Sequence, residues 1–182
     1  REGLYLDAWQ VELESGSESA AGEAWKVLAD LYPDHHGASV NHGLAEFVLG
    51  HYEKAEQAVA HANVEQNPLR SVTLELLGRI QLARGKVDEA VATLHRAMQL
   101  AEGRPNRQLV AALAVSGRNA EASAVLARLP ENGPGRWLEG TSLAIDEGRF
   151  EEALAASVAS AGRCNGGPFV CDLLGTVNLA VH

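Results

Sequence analysis

A glycine followed five residues later by an alanine is the most constraining feature of this sequence. The alanines of these pairs are 31 to 35 residues apart. Self-similarity at this period is the signature of a repeat array, in which each repeat buries its apolar face only by stacking on its neighbours. We therefore expect stacked repeats instead of a domain folded around one core. The five pairs are Gly16 with Ala21, Gly50 with Ala55, Gly85 with Ala90, Gly117 with Ala122, and Gly148 with Ala153.

The spacing inside each repeat predicts two helices joined by a tight turn. Apolar residues follow the alanine by four and seven positions, as Leu94 and Ala97 follow Ala90, and these steps define one helix face. The glycine can take the left-handed conformation that ends the first helix. The small alanine lets the second helix approach the first closely. We expect the second helices to be ended by prolines, namely Pro33, Pro68, Pro105, Pro134 and Pro168.

Composition and charge limit the classes of partner. Hydrophobic residues make up 46% and charged residues 21% of the 182, as in soluble folded proteins. The net charge of −9 argues against nucleic acid or an anionic membrane surface as the main partner. No apolar run approaches the roughly 20 residues that span a bilayer, so we predict no transmembrane segment.

The pattern resembles the tetratricopeptide repeat (TPR) family. The best match lies in residues 71–104, and a fifth repeat is recognisable through Trp137, Gly148, Phe150 and Ala153. The second repeat departs from the pattern, because His42 and Gly43 stand where leucine and glycine are usual. The resemblance implies an all-α fold, an α-solenoid of stacked helix-turn-helix repeats, that binds peptides or proteins without catalysis. The signature positions in 71–104 are Leu74, Leu77, Gly78, Gly85, Ala90, Leu94 and Ala97.

We expect one array over residues 1–182 that is a fragment of a longer chain. Its predicted repeats are 2–35, 36–69, 70–104, 105–133 and 134–167, followed by a terminal helix over 168–181. That helix has apolar residues on more than one face, whereas a capping helix needs a polar outer face. We therefore predict weak self-association through it. Its apolar residues are Val170, Leu173, Leu174, Val177, Leu179 and Val181.

The resemblance also implies where a partner binds, because the first helices of successive repeats line a concave groove in this family. On the first helix the groove positions are Leu6, Gln10 and Leu13. The family's peptide clamp for a terminal carboxylate uses lysine and asparagine where Val40 and Leu44 stand here, so a chaperone-tail receptor is disfavoured. The predicted partner-binding residues are Val40, Leu44, Phe47, Val48, Val72, Glu75, Arg79, Leu82, Arg104, Arg107, Ala111, Leu138 and Ser142.

Three arginines within this set predict the chemistry of the partner. In the expected register Arg79, Arg104 and Arg107 converge beside apolar side chains. Arginine presents a planar fork of donors that suits carboxylates. We therefore expect a partner segment with apolar anchors and at least one acidic group. The alternative is that these arginines are solvated, or paired with Glu75 and Glu102.

Three other groups of residues are candidates for a functional site. None of them leads us to predict a catalytic residue, a bound metal or a cofactor. Asp34, His35, His36, His42 and His51 include metal-ligand residue types, but their spacing matches no known site and we interpret them as solvated. Cys164 and Cys171 lack a Cys-x-x-Cys spacing, and they are either free thiols or a disulfide in an exported chain. The glycine loops near 132–136 and 164–168 are interpreted as turns between repeats.

We therefore predict a protein-interaction scaffold that binds a peptide or protein segment in its groove. The alternative is a substrate-positioning or regulatory repeat domain of a larger enzyme, or of a transcription, secretion or envelope-assembly protein. The preference for arginine over lysine and the many alanines indicate a GC-rich, bacterial coding sequence. The compartment is open from sequence, with the cytoplasm favoured slightly over the periplasm.

Overall fold

The computed structural model describes residues 2–131 and 134–161, which contain ten α-helices and no strand. The predicted all-α class is confirmed. Successive pairs of helices form one hairpin per repeat. The helices are α1 (Glu2–Ser15), α2 (Glu18–Leu31), α3 (His36–Val48), α4 (Tyr52–Ala62), α5 (Arg70–Ala83), α6 (Val87–Leu100), α7 (Arg107–Val115), α8 (Asn119–Leu126), α9 (Pro134–Asp146) and α10 (Phe150–Ala161).

The chain divides into two compact units, Arg1–Arg104 and Pro105–His182. The first holds the hairpins of repeats 1 to 3 (α1 to α6), and the second holds those of repeats 4 and 5 (α7 to α10). The division falls where the third repeat is predicted to end. A single array over the whole chain stays a prediction.

The glycine turns have the conformation that the sequence predicts. In all five predicted turns the glycine has a positive φ, between 58° and 78°. At Gly85 the glycine N–H donates to the Leu82 carbonyl at 2.9 Å, and the next N–H, of Lys86, donates to the Gln81 carbonyl at 2.9 Å. These two bonds satisfy carbonyls that the end of α5 would leave open. A residue with a Cβ would be strained at this φ.

The alanines are packing residues, as predicted. All five are at most 3% exposed, and Ala90 is completely buried. The hairpins are so tight that a Cβ on Gly78 of α5 would overlap the Leu94 side chain of α6. A Cβ on Gly43 of α3 would likewise overlap Val59 of α4. Of the pair His42 and Gly43, repeat 2 therefore departs from the family pattern only at His42. It retains the glycine, Gly43, at the position that lies closest to the second helix.

The prolines end the second helices less directly than predicted. Helix α4 already ends at Ala62, well before Pro68, and α8 ends at Leu126, well before Pro134. After α8 the guanidinium of Arg136 donates to the carbonyls of Ala127 and Leu129, at 2.9 and 3.0 Å, so a side chain of the next repeat satisfies these open acceptors. Pro134 is the first residue of α9, a position where its missing N–H is not needed.

An ion cluster joins repeat 2 to repeat 3 in the first compact unit. Glu56 on α4 accepts hydrogen bonds from Arg84 and Lys86, which flank the turn between α5 and α6. Burial alone would raise the pKa of Glu56, but the hydrogen bonds and positive charges of Lys86 and Arg84 outweigh it and lower that pKa. The carboxylate therefore stays ionised and fixes one hairpin to the next.

Candidate partner-binding surface

The outward face of α3 carries a row of apolar side chains. Val40, Leu44, Phe47 and Val48 are spaced by four, three and one positions, which places them on one side of a helix. Leu44 and Val48 are exposed, whereas Val40 and Phe47 are half-buried and pack against the core around Val59 and Leu74. Part of the predicted site is thus anchored in the core and part is open to solvent.

The predicted residues of α5 lie on one side of that helix and meet the α3 row. Val72 is 52% exposed, and Glu75, Arg79 and Leu82 are half-buried. The Arg79 guanidinium lies over the Phe47 ring, 5.0 Å from its centroid, in a cation–π contact. We call the eight residues from Val40 to Leu82 the α3/α5 face; they are Val40, Leu44, Phe47, Val48, Val72, Glu75, Arg79 and Leu82.

The remaining predicted residues are not part of the α3/α5 face. Arg104 is exposed and ends the first compact unit. In the second unit the Arg107 Nε donates to Glu139 Oε1 at 3.1 Å, a partner that the sequence analysis did not identify. Leu138 is only 8% exposed, so its side chain belongs to the core of that unit. Within the second unit, Ala111 is half-buried and Ser142 is exposed.

Burial raises the pKa of Glu139, although the positive charge and the hydrogen bond of Arg107 oppose this effect. The Glu139 side chain is 11% exposed and that of Arg107 is 47% exposed. The pair therefore links α7 to α9 with its acidic partner held inside the second unit. An arginine predicted to meet a partner carboxylate thus already holds a carboxylate of its own chain.

Helix α1 carries an aromatic side chain that the sequence analysis missed. Trp9 is partly exposed between Leu6 and Leu13, and its ring packs edge-on against the buried Trp25 of α2, with centroids 5.5 Å apart. The indole N–H of Trp25 donates to the Glu12 carboxylate at 2.6 Å. The helical spacing of Leu6 and Trp9 could have revealed this exposed row, since residues three apart lie on the same side.

His35, His42 and His51 each have a local structural partner instead of forming one cluster. His35 caps α3, where its Nδ1 accepts a hydrogen bond from the Ala38 N–H at 3.1 Å. His42 donates through Nδ1 to the Gly22 carbonyl at 3.1 Å, and His51 donates to Glu46 at 2.8 Å. The interpretation of these histidines as solvated was wrong for His35, His36 and His42, which are half-buried. His36 is also the first residue of α3 and not a loop residue. Within the described ranges no group of three or more His, Cys, Asp or Glu residues could hold a metal ion.

A cavity of about 870 Å³ lies between α2, α3 and α4 in the first compact unit. Its lining mixes both signs of charge, because Lys26 and Lys54 face it together with Glu23, Asp30 and Glu46. Lys26 and Asp30 are already paired with each other. The lining therefore favours neither an anionic nor a cationic ligand.

Several predictions concern residues outside those that the structure describes. These are the terminal helix over 168–181, its predicted self-association, the state of Cys164 and Cys171, the glycine loop over 164–168, and Pro168 as the end of the fifth repeat. Among the described helices, none is long and apolar enough to cross a membrane.

Comparison with known proteins identifies the fold. The chain is similar to the crystal structure of TTC0263, a thermophilic TPR protein of Thermus thermophilus, with a TM-score of 0.79, 17% identity and 98% coverage of both chains. It is also similar to TPR-like repeats of a putative kinesin light chain of Podospora anserina, with a TM-score of 0.65, 14% identity, and coverage of 100% of this chain and 96% of that one. No family model matches the sequence, and no curated protein matches it.

Proposed function

We propose, starting from the tetratricopeptide-repeat fold of this chain, that it is a protein-interaction scaffold without catalysis of its own. Its partner is a peptide or protein segment that lies along the first helices of the repeats, in the groove that this fold forms in TPR proteins. The α3/α5 face of the first compact unit is the proposed centre of that site.

The single observation that carries this proposal is the exposure of apolar side chains on first helices. Val48 and Val72 are more than half exposed, and they lie on α3 and α5, which are neighbours within the first unit. Scattered exposed apolar residues are ordinary on a protein surface, whereas apolar residues gathered on one face mark a site of interaction. A partner that covers this face removes apolar surface from contact with water. Each Å² of apolar surface buried contributes roughly 25 cal/mol to the binding free energy, which is then reduced by the loss of freedom on association.

The Arg79–Phe47 contact supports the expected chemistry of the partner. Arginine and aromatic residues are enriched among the residues that dominate binding energy at interfaces. The Phe47 ring also contacts the Tyr52 ring, with centroids 5.6 Å apart, so the guanidinium lies on a supported aromatic platform. We propose that a partner places apolar anchors on Leu44, Val48 and Val72 and an acidic group near Arg79.

A crosslinking experiment tests the location of the site. A photo-reactive benzoylphenylalanine is placed at Val48 or at Val72, and in control chains at Leu31 of α2 or Leu100 of α6, which are exposed leucines on second helices. We expect one partner protein to be crosslinked from positions 48 and 72 and not from positions 31 and 100. Equal crosslinking from all four positions would place the site elsewhere.

Affinity for the partner identified in this way gives the second test. Val48→Ser with Val72→Ser is expected to weaken binding by ten-fold or more, about 1.4 kcal/mol. Leu31→Ser with Leu100→Ser is the matched control, because it removes two exposed apolar side chains from second helices. Circular dichroism of each variant checks that the helices are intact.

A further inference from the structure

The exposed side of α1 is an apolar stripe on the first repeat. Leu6, Trp9 and Leu13 are spaced by three and four residues and therefore lie on one side of the helix, with Tyr5 beside them. Leu6 is 64% and Leu13 is 78% exposed. We call Tyr5, Leu6, Trp9 and Leu13 the α1 stripe.

The aromatic side chains of the α1 stripe are held in place by a buried tryptophan of α2. Trp25 is buried, and its ring contacts both Trp9 and Tyr5, with centroid distances of 5.5 and 5.8 Å. Its hydrogen bond to Glu12 fixes the indole on the α1 side of the hairpin. Partly exposed aromatic rings with few remaining degrees of freedom lose little entropy on binding, which makes them suitable anchors.

The charge around the stripe is of one sign. Residues 2–25 contain six carboxylates and no lysine, arginine or histidine. All six residues are exposed in the structure. Helix α1, which carries four of these six carboxylates and no basic residue, is therefore an anionic surface beside its apolar row. The six are Glu2, Asp7, Glu12, Glu14, Glu18 and Glu23.

This charge decides between the occupants that an apolar stripe could have. A second copy of this chain would bring the same carboxylates against these, and like charges at an interface cost binding energy. An anionic lipid surface or a nucleic acid meets the same repulsion. An amphipathic helix with an apolar face and basic flanks buries the α1 stripe and pairs with the neighbouring carboxylates of α1.

We propose that the α1 stripe docks a cationic amphipathic helix of a partner protein. This inference rests on the proposed scaffold function and names the chemistry of the partner at its first-repeat end. The apolar side of the helix covers Leu6, Trp9 and Leu13, and its lysine or arginine residues lie near Asp7 and Glu14.

The test uses a defined probe and the full chain. The probe is a synthetic amphipathic helix of about five turns, with leucines along one face and lysines elsewhere. Its control peptide has the same leucines and a glutamate for every lysine. Isothermal titration calorimetry is expected to show binding of the lysine peptide that weakens with added salt, and no binding of the glutamate peptide.

Two pairs of variants locate the binding on α1. Leu6→Ser with Leu13→Ser is expected to weaken binding of the lysine peptide at least ten-fold, whereas Leu31→Ser with Leu100→Ser leaves it unchanged. Asp7→Lys with Glu14→Lys should weaken it to a similar extent. Its control, Glu65→Lys with Glu131→Lys, changes the net charge equally at exposed positions away from α1 and should not.

The outcomes separate this inference from the scaffold function. Equal binding of the two peptides, full affinity in the Leu6→Ser, Leu13→Ser variant, or a dimer that this variant disrupts would each overturn docking on α1. If the crosslinked partner depends on Val48 and Val72 but not on Leu6 and Leu13, the α1 inference fails and the scaffold function stands. If neither pair of variants affects that partner, the scaffold function itself fails.

Discussion

The Arg107 guanidinium holds the Glu139 carboxylate, with Nε and Oε1 3.1 Å apart, and so joins the first helices of repeats 4 and 5. Glu139 is nearly buried, whereas about half of the Arg107 side chain is exposed. Removal of the arginine leaves an almost buried carboxylate without this hydrogen bond, which costs on the order of 1–3 kcal/mol. We expect Arg107→Ala to lower the free energy of unfolding by that amount in urea denaturation. Arg104→Ala, at an exposed position, is the control and should have little effect.

The raised pKa of Glu139 predicts a pH dependence of stability. The folded pKa of this carboxyl lies above its ordinary value of 4.5. At a pH between these two pKa values the carboxyl binds more protons in the folded chain than in the unfolded chain. Its contribution to stability is therefore fully present at low pH, falls as the pH rises through the folded pKa, and is constant above it. Glu139→Gln should remove this fall, measured as the difference in free energy of unfolding between pH 4 and pH 8. An identical pH profile in the variant would contradict the assignment.

Glu56 should show the opposite sign, because its folded pKa is lowered. Its contribution to stability is present above the unfolded pKa and is lost as the pH falls through the folded pKa. We expect Glu56→Gln to lower the free energy of unfolding at neutral pH by about 1 kcal/mol, since hydrogen bonds to charged partners are lost. The difference from the wild type should shrink in acid. Glu53→Gln is the control, because this neighbour of Arg84 is 70% exposed.

Gly78 is expected to tolerate no side chain. A Cβ there would overlap Leu94, so Gly78→Ala forces the two helices of repeat 3 apart and should cost about 1–3 kcal/mol. Gly3→Ala is the control, since nothing lies within 4 Å of a Cβ at that position of α1 and alanine favours helix. Equal thermal stability of the two variants would show that the α5–α6 contact is looser than described.

Ala90 tests the alanine anchor directly. Ala90→Leu adds three carbons at a fully buried position of α6 and should lower the free energy of unfolding by about 1–3 kcal/mol. Ala92→Leu, two residues along the same helix at an exposed position, makes the same chemical change without crowding the core. A denaturation midpoint of Ala90→Leu equal to that of the wild type would show that the anchor assignment is wrong.

The repeat structure could be predicted from sequence because it depends on local and periodic signals. Gly85 and Ala90 need only a left-handed turn and a close helix contact, and both requirements restrict the residue type strongly. The roles of charged side chains could not be predicted in the same way. Arg107 and Glu139 are 32 residues apart, and either could have pointed to solvent. The cation–π contact of Arg79 depends on where Phe47 of the preceding repeat lies, which spacing within one repeat does not specify.

The three tryptophans are distributed unevenly among the repeats, so tryptophan fluorescence reports on only some of them. Trp9 and Trp25 belong to the first hairpin and Trp137 to α9, so repeats 2, 3 and 4 contain none. Tryptophan fluorescence therefore follows the melting of repeat 1 and repeat 5, whereas far-ultraviolet circular dichroism follows every helix. In a repeat array the hairpins can melt one after another, because each contacts only its neighbours. A fluorescence midpoint that precedes the dichroism midpoint would mean that repeats 1 and 5 melt before the repeats that carry the α3/α5 face.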